Sequence, residues 1–216
     1  MKIQILISNS SWVSSEYKKK FLSKLKKYSK KIFFTDTHLR LKKNYDLNII
    51  FSYFKIVPSN YLKLSKHNIV VHGSNLPKGR GMSPITWQIL EKKNRITFSL
   101  IEANQFLDKG RIYYKNKVVF PKYYLFNQIK NRQFFSSLKL VEKFIKYYKK
   151  NKKAPPSYNQ KGIASYYRKR LPADSKLNIN SNIKSQFNLL RTVDNEEYPA
   201  FFKIGNKKYI IKVFNK

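Results

Sequence analysis

The chain has 216 residues, 42% of them hydrophobic, which suffices for one well-packed core and a modest extension but not for two full domains. It contains no cysteine, which excludes disulfide bonds and thiolate metal sites, and its three histidines are too few and too scattered to indicate any other metal site. The apolar run after Met1 turns polar well before a signal sequence or membrane span would be complete, so we expect a cytoplasmic protein.

The formal net charge of +35 is the second unusual property of the composition. Clustered lysine and arginine gain affinity for nucleic acids by releasing counterions from phosphates. However, arginine, the better partner for phosphate, supplies only 8 of the 46 basic residues, and the chain also holds 20 asparagines. The codon bias of an AT-rich genome explains this composition at least as well as function does. We therefore expect a general attraction to anionic substrates but no specific binding to nucleic acid.

Strands and helices alternate through the first 150 residues. Short apolar or β-rich runs predict strands at 2–7, 31–36, 46–54, 67–73 and 95–103. Apolar residues three to four positions apart predict helices at 14–30 and 125–150, and a shorter helix begins at Pro84. Continuous apolar strands that alternate with amphipathic helices are typical of a mostly parallel, Rossmann-like α/β sheet, and this is the fold we predict.

A polar segment with two prolines, at 151–162, interrupts this pattern. We place a domain boundary there, with a main domain over 1–150 and a C-terminal extension over 151–216. A helical pattern at 181–193 and two β-rich runs around Gly205 predict that the extension consists of a linker, a helix and a β-hairpin.

The stretch from 68 to 90 is the richest in chemical groups. A buried strand ends at His72, and the chain then turns through several glycines before the next helix. In open α/β sheets, ligands bind at the carboxyl ends of the strands, so we expect His72 to face a crevice, where a group that handles protons is useful. An isolated histidine is more often structural than catalytic. A second residue is needed to choose between these interpretations.

That residue is Asp108, which follows His72 by 36 positions (108 − 72) and also comes just after an apolar strand. If the two strands are neighbours, they bring imidazole and carboxylate together at one edge of the sheet. A carboxylate beside a histidine favours the imidazolium and orients the ring. The two residues together predict a general-base pair, although Asp108 alone would be an ordinary turn residue before Gly110.

These two motifs resemble the core of the formyltransferase family that uses 10-formyltetrahydrofolate and includes methionyl-tRNA formyltransferase, glycinamide ribonucleotide formyltransferase and the sugar N-formyltransferases. The family pattern HxSxLPxxRG is matched at 72–81 and the pattern LDxG at 107–110. The resemblance covers roughly residues 1–120. It implies catalytic roles for His72, which accepts the proton of an attacking amine, and for Asp108, which fixes the tautomer of the ring and stabilises its charge.

The resemblance also implies where ligands bind. The segment 52–58 is similar to the family's folate loop, and 10-formyltetrahydrofolate would lie against Phe54, Lys55, Ile56 and Leu107. Trp12 follows the first strand and could stack on a sugar or base of the second substrate. Arg168 and Arg170 could bind a carboxylate or diphosphate, or could belong to an exposed basic turn.

One position departs from the family pattern. The family has a catalytic asparagine two residues before the histidine, and this chain has Val70 there. The asparagine helps to hold the oxyanion that forms at the formyl carbon, and loss of such a donor typically lowers the rate by about a hundredfold or more. Asn75 is our candidate for a replacement, with Asn68 and the backbone N–H groups of 73–75 as alternatives. A further alternative is that the fold serves a different transfer reaction.

Residues 166–214 resemble the C-terminal end of sugar N-formyltransferases of the 4-amino sugar and pseudaminic acid type. Only two residues follow the predicted hairpin, so we expect no barrel of the kind with which the tRNA enzyme grips its substrate. The resemblance implies formyl transfer to a nucleotide-linked amino sugar for surface polysaccharide synthesis. We expect folate and the sugar nucleotide to be the binding partners and no membrane to be involved. The chain would act alone or as a homodimer. The alternatives are a minimal methionyl-tRNA formyltransferase-like enzyme and a non-catalytic ligand-binding relative.

Overall fold

A computed structural model describes residues 1–215. The strands are β1 (Lys2–Leu6), β2 (Lys31–Thr35), β3 (Tyr45–Ile50), β4 (Ser65–His72), β5 (Arg80–Gly81), β6 (Arg95–Glu102), β7 (Ile112–Val119), β8 (Tyr166–Tyr167), β9 (Ala200–Ile204) and β10 (Lys207–Ile211). The helices are α1 (Ser15–Lys26), α2 (Ser59–Leu62), α3 (Pro84–Leu90), α4 (Phe126–Asn151) and α5 (Ile183–Leu190), with 3-10 turns at His38–Arg40 and Pro172–Ser175. Within the described residues, no helix is both long enough and apolar enough to cross a membrane.

Six strands form the central sheet in the order β2-β1-β3-β4-β6-β7. The first four are parallel, which confirms the predicted mostly parallel α/β sheet, and β6 and β7 are antiparallel to their neighbours. The expectation that the end of β6 lies beside the end of β4 is wrong, because the two strands are antiparallel. Glu102, the last residue of β6, pairs with Ile69, and His72, the last residue of β4, pairs with Ser99. The Gln88 side chain of α3 donates to the Gly73 carbonyl (2.7 Å), which holds α3 near the end of β4, and β6 enters the sheet from this same edge.

Both faces of the sheet are buried, which explains the continuous apolar runs in its strands. Helices α1 and α4 cover one face, where Ile69 of β4 packs in the main core with Phe21 and Phe134. The next residue, Val70, lies on the opposite face in a smaller cluster that includes Leu6 and Ile50. Each fully buried large apolar side chain contributes about 1.5–3 kcal/mol to the free energy of unfolding.

Edge strand β7 and the two-residue strands β5 and β8 are absent from the predicted elements. In β7 the side chains of Lys115 and Lys117 are exposed, as is normal for an edge strand, and they interrupt its apolar pattern. Strands β5 and β8 pair with each other across 86 residues of chain, at Arg80 with Tyr166 and at Gly81 with Tyr167. A pattern of sequence within a short window cannot predict a pairing of that kind.

The C-terminal extension contacts the rest of the chain at several points. Helix α4 ends at Asn151, one residue beyond the predicted boundary, and β9 and β10 form the predicted hairpin. Tyr158 forms a backbone bridge with Ile112 of β7. The buried Arg191 side chain donates to the Pro121 carbonyl (3.1 Å), and a second of its nitrogens bonds Asn94 Oδ1 (2.7 Å). The division of the chain into two domains at residue 150 stays a prediction.

We predict that Gly110→Ala destabilises the fold, because a Cβ at Gly110 would lie 1.6 Å from the Glu102 carbonyl oxygen. The loop would have to move away from β6, and overpacking of this kind lowers the free energy of unfolding by about 1–3 kcal/mol. Thermal denaturation followed by circular dichroism measures the effect. Gly162→Ala, where a Cβ meets no atom within 4 Å, measures the cost of positive-φ strain without a clash. A melting temperature of Gly110→Ala equal to that of the wild type would contradict the prediction.

Candidate functional site

A cavity of about 490 Å³ opens at the edge of the sheet where β4 ends, and its size is that of a small-molecule site. One part, which we call the loop arm, is lined by residues 52–57, 101–104 and 106–108 on the Val70 side of the sheet. The other part, which we call the helix arm, lies on the α4 side and is lined by Trp12, Ser83, Pro84, Ile85, Thr86, Lys130, Gln133 and Ser137. Within residues 1–215, no group of three or more histidine, aspartate or glutamate residues could hold a metal ion.

His72 lines the cavity between the two arms and is nearly buried. Its Nε2 lies 2.7 Å from the Gly79 carbonyl oxygen. A carbonyl can only accept, so Nε2 carries the proton and Nδ1 of the neutral ring keeps its lone pair. Nδ1 lies 3.5 Å from Asp108 Oδ1, beyond hydrogen-bond distance but close enough for the carboxylate to stabilise an imidazolium. The structure thus brings the two residues together, but it is Gly79, rather than Asp108, that fixes the tautomer.

Asp108 is held in place by the backbone of β5. Its Oδ2 accepts the Gly81 N–H at 2.8 Å, and its own backbone is left-handed, with φ 52°. Gly81 has φ 99°, and a Cβ there would lie 2.3 Å from the Tyr167 carbonyl oxygen of β8. Only glycine fits this position, which gives the final glycine of the 72–81 motif a physical role.

The C-terminal extension supplies two further residues to this network. The Gln160 side-chain amide donates to the carbonyls of Asp108 (2.7 Å) and Gly110 (2.9 Å). Ser165 Oγ accepts the Gly79 N–H at 2.9 Å. Sequence reasoning missed both residues, because glutamine and serine in a polar linker carry no local signal that distinguishes them from solvent-exposed residues.

The loop arm contains the four residues that were expected to contact folate. Phe54, Lys55, Ile56 and Leu107 all line the cavity. The backbone N–H of Phe54 donates to Ser8 Oγ (3.1 Å), which ties this loop to the end of β1. The Phe54, Ile56 and Leu107 side chains are 44–56% exposed, an unusual condition for large apolar groups around a cavity. Such a surface suits a flat, largely apolar ligand.

The helix arm combines an aromatic residue with an unpaired cation. The ammonium group of Lys130 lies 5.1 Å from the ring centroids of both Trp12 and Phe126. Burial lowers the pKa of Lys130 to about 8, while the field of Asp194 raises it and that of Arg170 lowers it further. In the part of the chain that the structure describes, no carboxylate oxygen lies within 4 Å of this ammonium group.

Arg168 and Arg170 do not line the cavity. Two nitrogens of Arg168 contact the Asp174 carboxylate at 2.7 and 2.5 Å, and its guanidinium lies 4.8 Å from the Trp87 ring centroid. This bidentate contact lowers the pKa of Asp174 to about 2. Arg170 donates to the Asp174 backbone carbonyl at 3.0 Å. Both arginines therefore stabilise the turn at 168–175 within the extension, and their position does not support the predicted contact with substrate.

Neither of the asparagines considered as replacement oxyanion donors lines the cavity. Asn75 is exposed, and its Oδ1 accepts from Lys115 Nζ at 2.7 Å. Asn68 is buried in β4, where its side chain accepts from Asn48 (3.0 Å) and donates to a backbone carbonyl. The side-chain amides that do line the cavity include those of Asn104 and Gln133. The position of Asn75 outside the cavity does not support its predicted role as the replacement oxyanion donor.

The model of the formyl transferase family matches residues 11–138, which is more than half of the chain. The chain is 26% identical to a GDP-perosamine N-formyltransferase of Brucella melitensis over 172 residues, 78% of this chain and 65% of that protein. It is 30% identical to a methionyl-tRNA formyltransferase of Orientia tsutsugamushi over 134 residues, 62% of this chain and 43% of that protein. The chain thus spans less than two thirds of the length of these relatives.

Two solved structures show the same fold. A methionyl-tRNA formyltransferase from Clostridium thermocellum superposes with a TM-score of 0.77 at 21% identity, covering 99% of this chain and 92% of that one. HypX from Aquifex aeolicus in complex with tetrahydrofolic acid superposes with a TM-score of 0.79 at 14% identity, covering 99% of this chain and 37% of that one. At these identities the likeness concerns the fold alone.

Proposed function

Because the chain belongs to the formyl transferase family, we propose that it is an N-formyltransferase that moves a formyl group from 10-formyltetrahydrofolate to the amino group of a nucleotide-linked amino sugar. The observation that carries this proposal is the pair of His72 and Asp108 at the centre of a two-armed cavity, with their polar atoms 3.5 Å apart. Two arms around one proton-handling pair suit a reaction in which a donor and an acceptor meet.

The loop arm fits the folate donor. Phe54, Ile56 and Leu107 offer apolar surface to a pterin ring, and the ammonium group of Lys55 offers a partner to the glutamate carboxylates. A relative of the same fold has been solved with tetrahydrofolic acid. When bound, the donor would supply an electrophilic formyl carbon at the meeting point of the two arms.

His72 is the base in this mechanism. Its Nε2–H is held by Gly79, so Nδ1 is the nitrogen that accepts the proton lost by the attacking amine. Asp108 Oδ1, 3.5 Å away, stabilises the imidazolium that forms. The same nitrogen then returns the proton to the departing nitrogen of the donor. Holding donor and acceptor in two arms of one cavity supplies much of the remaining rate enhancement.

The amino-sugar acceptor is supported by the range of the sequence similarity. The resemblance to a GDP-perosamine N-formyltransferase extends over 78% of the chain at 26% identity, against 62% of the chain at 30% identity for the tRNA enzyme. The charge of +35 favours the alternative of a tRNA-directed enzyme. A steep dependence of tRNA binding on salt, together with formylation of methionyl-tRNA, would support that alternative. A cytoplasmic place in surface polysaccharide synthesis follows from the amino-sugar acceptor and is part of the proposal.

The first test compares the wild type with His72→Ala. With 10-formyltetrahydrofolate as donor and GDP-perosamine or methionyl-tRNA as acceptor, mass spectrometry of the acceptor detects the added formyl group. We expect transfer to the amino sugar by the wild type and a loss of at least about a hundredfold in His72→Ala, because a positioned base contributes 10²–10⁴-fold. Circular dichroism checks that the variant is folded. Wild-type turnover by His72→Ala would remove the mechanism, and a wild type that binds both ligands without transfer would identify a non-catalytic relative.

The second test concerns Val70, where the chain lacks the family's asparagine. The half-buried Val70 lines the cavity and packs against the apolar side chains of Leu76, Ile101 and Ile112, which offer no protein partner to an amide. We therefore expect Val70→Asn to lower the melting temperature without raising turnover, and Asn75→Ala to leave turnover unchanged, because Asn75 lies outside the cavity. A several-fold faster Val70→Asn would instead show that nothing replaces the missing donor.

A further inference from the structure

The helix arm contains polar groups to which the mechanism above assigns no role. Lys130 and Gln133 lie three positions apart on α4, so both project from one side of the helix into the cavity. We propose that the helix arm is a subsite for an oxyanion of the acceptor, a phosphoryl or carboxylate group, that carries a hydroxyl group beside it. This proposal adds a binding site for the acceptor to the proposed function. It rests on that function, because only a transfer reaction has an acceptor.

The ammonium group of Lys130 provides the first half of the argument. It is close to two aromatic rings but to no carboxylate in the described part of the chain, and the helix arm itself contains no aspartate or glutamate. Aromatic faces satisfy a partly buried cation less well than an anion does. The charges of Asp194 and Arg170 act on Lys130 from a distance, and Asp194 raises the pKa of Lys130 while Arg170 lowers it. An anionic ligand would therefore supply the partner that the protein does not.

The carbonyl oxygen of Gln133 provides the second half. Gln133 Oε1 is fully buried and has no hydrogen-bond partner among the described residues. Buried acceptors are almost always paired, so a donor is missing from this position. An oxyanion cannot fill it, whereas a hydroxyl or an N–H group can. The ligand that satisfies both residues is therefore a hydroxylated oxyanion, such as a sugar phosphate, and not an oxyanion without a donor, such as sulfate.

Trp12 gives a local readout of this subsite, because the Lys130 ammonium group lies over its ring. In a Trp87→Phe background, Trp12 is the remaining tryptophan. Its fluorescence is followed while glucose 1-phosphate or sulfate, which has no hydroxyl group, is added to the ligand-free protein. We expect both to bind, with glucose 1-phosphate the tighter. Lys130→Met should raise both dissociation constants at least tenfold, and Gln133→Leu should weaken only glucose 1-phosphate, to the level of sulfate.

Lys139→Met is the matched control, since Lys139 is an exposed lysine of the same helix that does not line the cavity. It should bind both probes as the wild type does. The absence of any Trp12 response in the wild type, or equal affinities in the wild type and Lys130→Met, would overturn the subsite. The assay contains no formyl donor, so a failure of formyl transfer with intact binding would count against the proposed function alone.

A separate set of hydrogen bonds supports a second inference, about the C-terminal extension. Gln160 Nε2 donates to the carbonyls of Asp108 and Gly110, and its Oε1 accepts from Arg80 at 2.7 Å. It thus connects the loop that carries Asp108 with the Gly79–Gly81 turn that holds His72. From this geometry we infer that Gln160 is a positioning residue for the pair, although it lies beyond the matched family region, which ends at 138.

The test uses Gln160→Met, which keeps the length of the side chain but removes its three hydrogen bonds. The Asp108 loop should drift away from His72, which removes the stabilising carboxylate from beside the imidazole ring. The NMR chemical shifts of the His72 ring at fixed pH measure this without substrates, so the result can be read even if the proposed function fails. In the formyl-transfer assay, we expect kcat to fall at least tenfold while KM for either substrate changes less than threefold.

Asn159→Ala is the control for Gln160→Met. Asn159 lies next to Gln160, and its side chain accepts from Arg111 at 2.9 Å without touching the Asp108 carbonyl. It should leave both the His72 ring chemical shifts and kcat unchanged. A merely structural role for Gln160 predicts a lower melting temperature with unchanged chemical shifts of the His72 ring, and that result would overturn the inference.

Discussion

The geometry of the site depends on the turn at Gly79–Gly81. The Gly79 carbonyl holds Nε2 of His72, and two residues later the Gly81 N–H holds the Asp108 carboxylate. One short piece of backbone therefore fixes both members of the pair. This matters because β6 is antiparallel to β4, so its end lies away from His72 and the loop at 103–111 must return to the site. Without the turn, nothing in the sheet would keep the carboxylate beside the imidazole.

Much of the fold could be predicted from the sequence. The first four strands of the sheet and the long helix at 126–151 have strong apolar patterns, because their burial is local to each element. The direction of β6 and the existence of β7 could not be predicted in this way. They depend on contacts between distant residues, such as that between Gln88 and Gly73, and on an edge position that tolerates exposed lysines.

The same distinction applies to the site. His72 and Asp108 belong to short motifs with a specific spacing, and the structure places them together. Asn75 lies only three residues from His72, but sequence proximity does not give the direction of a side chain, and this one turns outward to Lys115. Gln160 has the opposite relation, since it is distant in sequence and touches the Asp108 loop. Hydrogen-bonding partners that come from another part of the chain are the information that a single sequence lacks.

The excess of lysine makes the pairing of charges unusually informative. With 46 basic and 11 acidic residues, cations compete for few carboxylates, and salt bridges to surface lysines or arginines engage Glu16, Asp36, Asp46, Glu91, Glu142, Asp174 and Glu196. Most of the other cations are exposed and satisfied by water. Lys130 is different, because burial between two aromatic rings lowers its pKa and removes part of its hydration. Genome bias can therefore explain most of the surface lysines while one lysine in the cavity has a function. Lys130 is recognised as that residue by its surroundings rather than by its residue type.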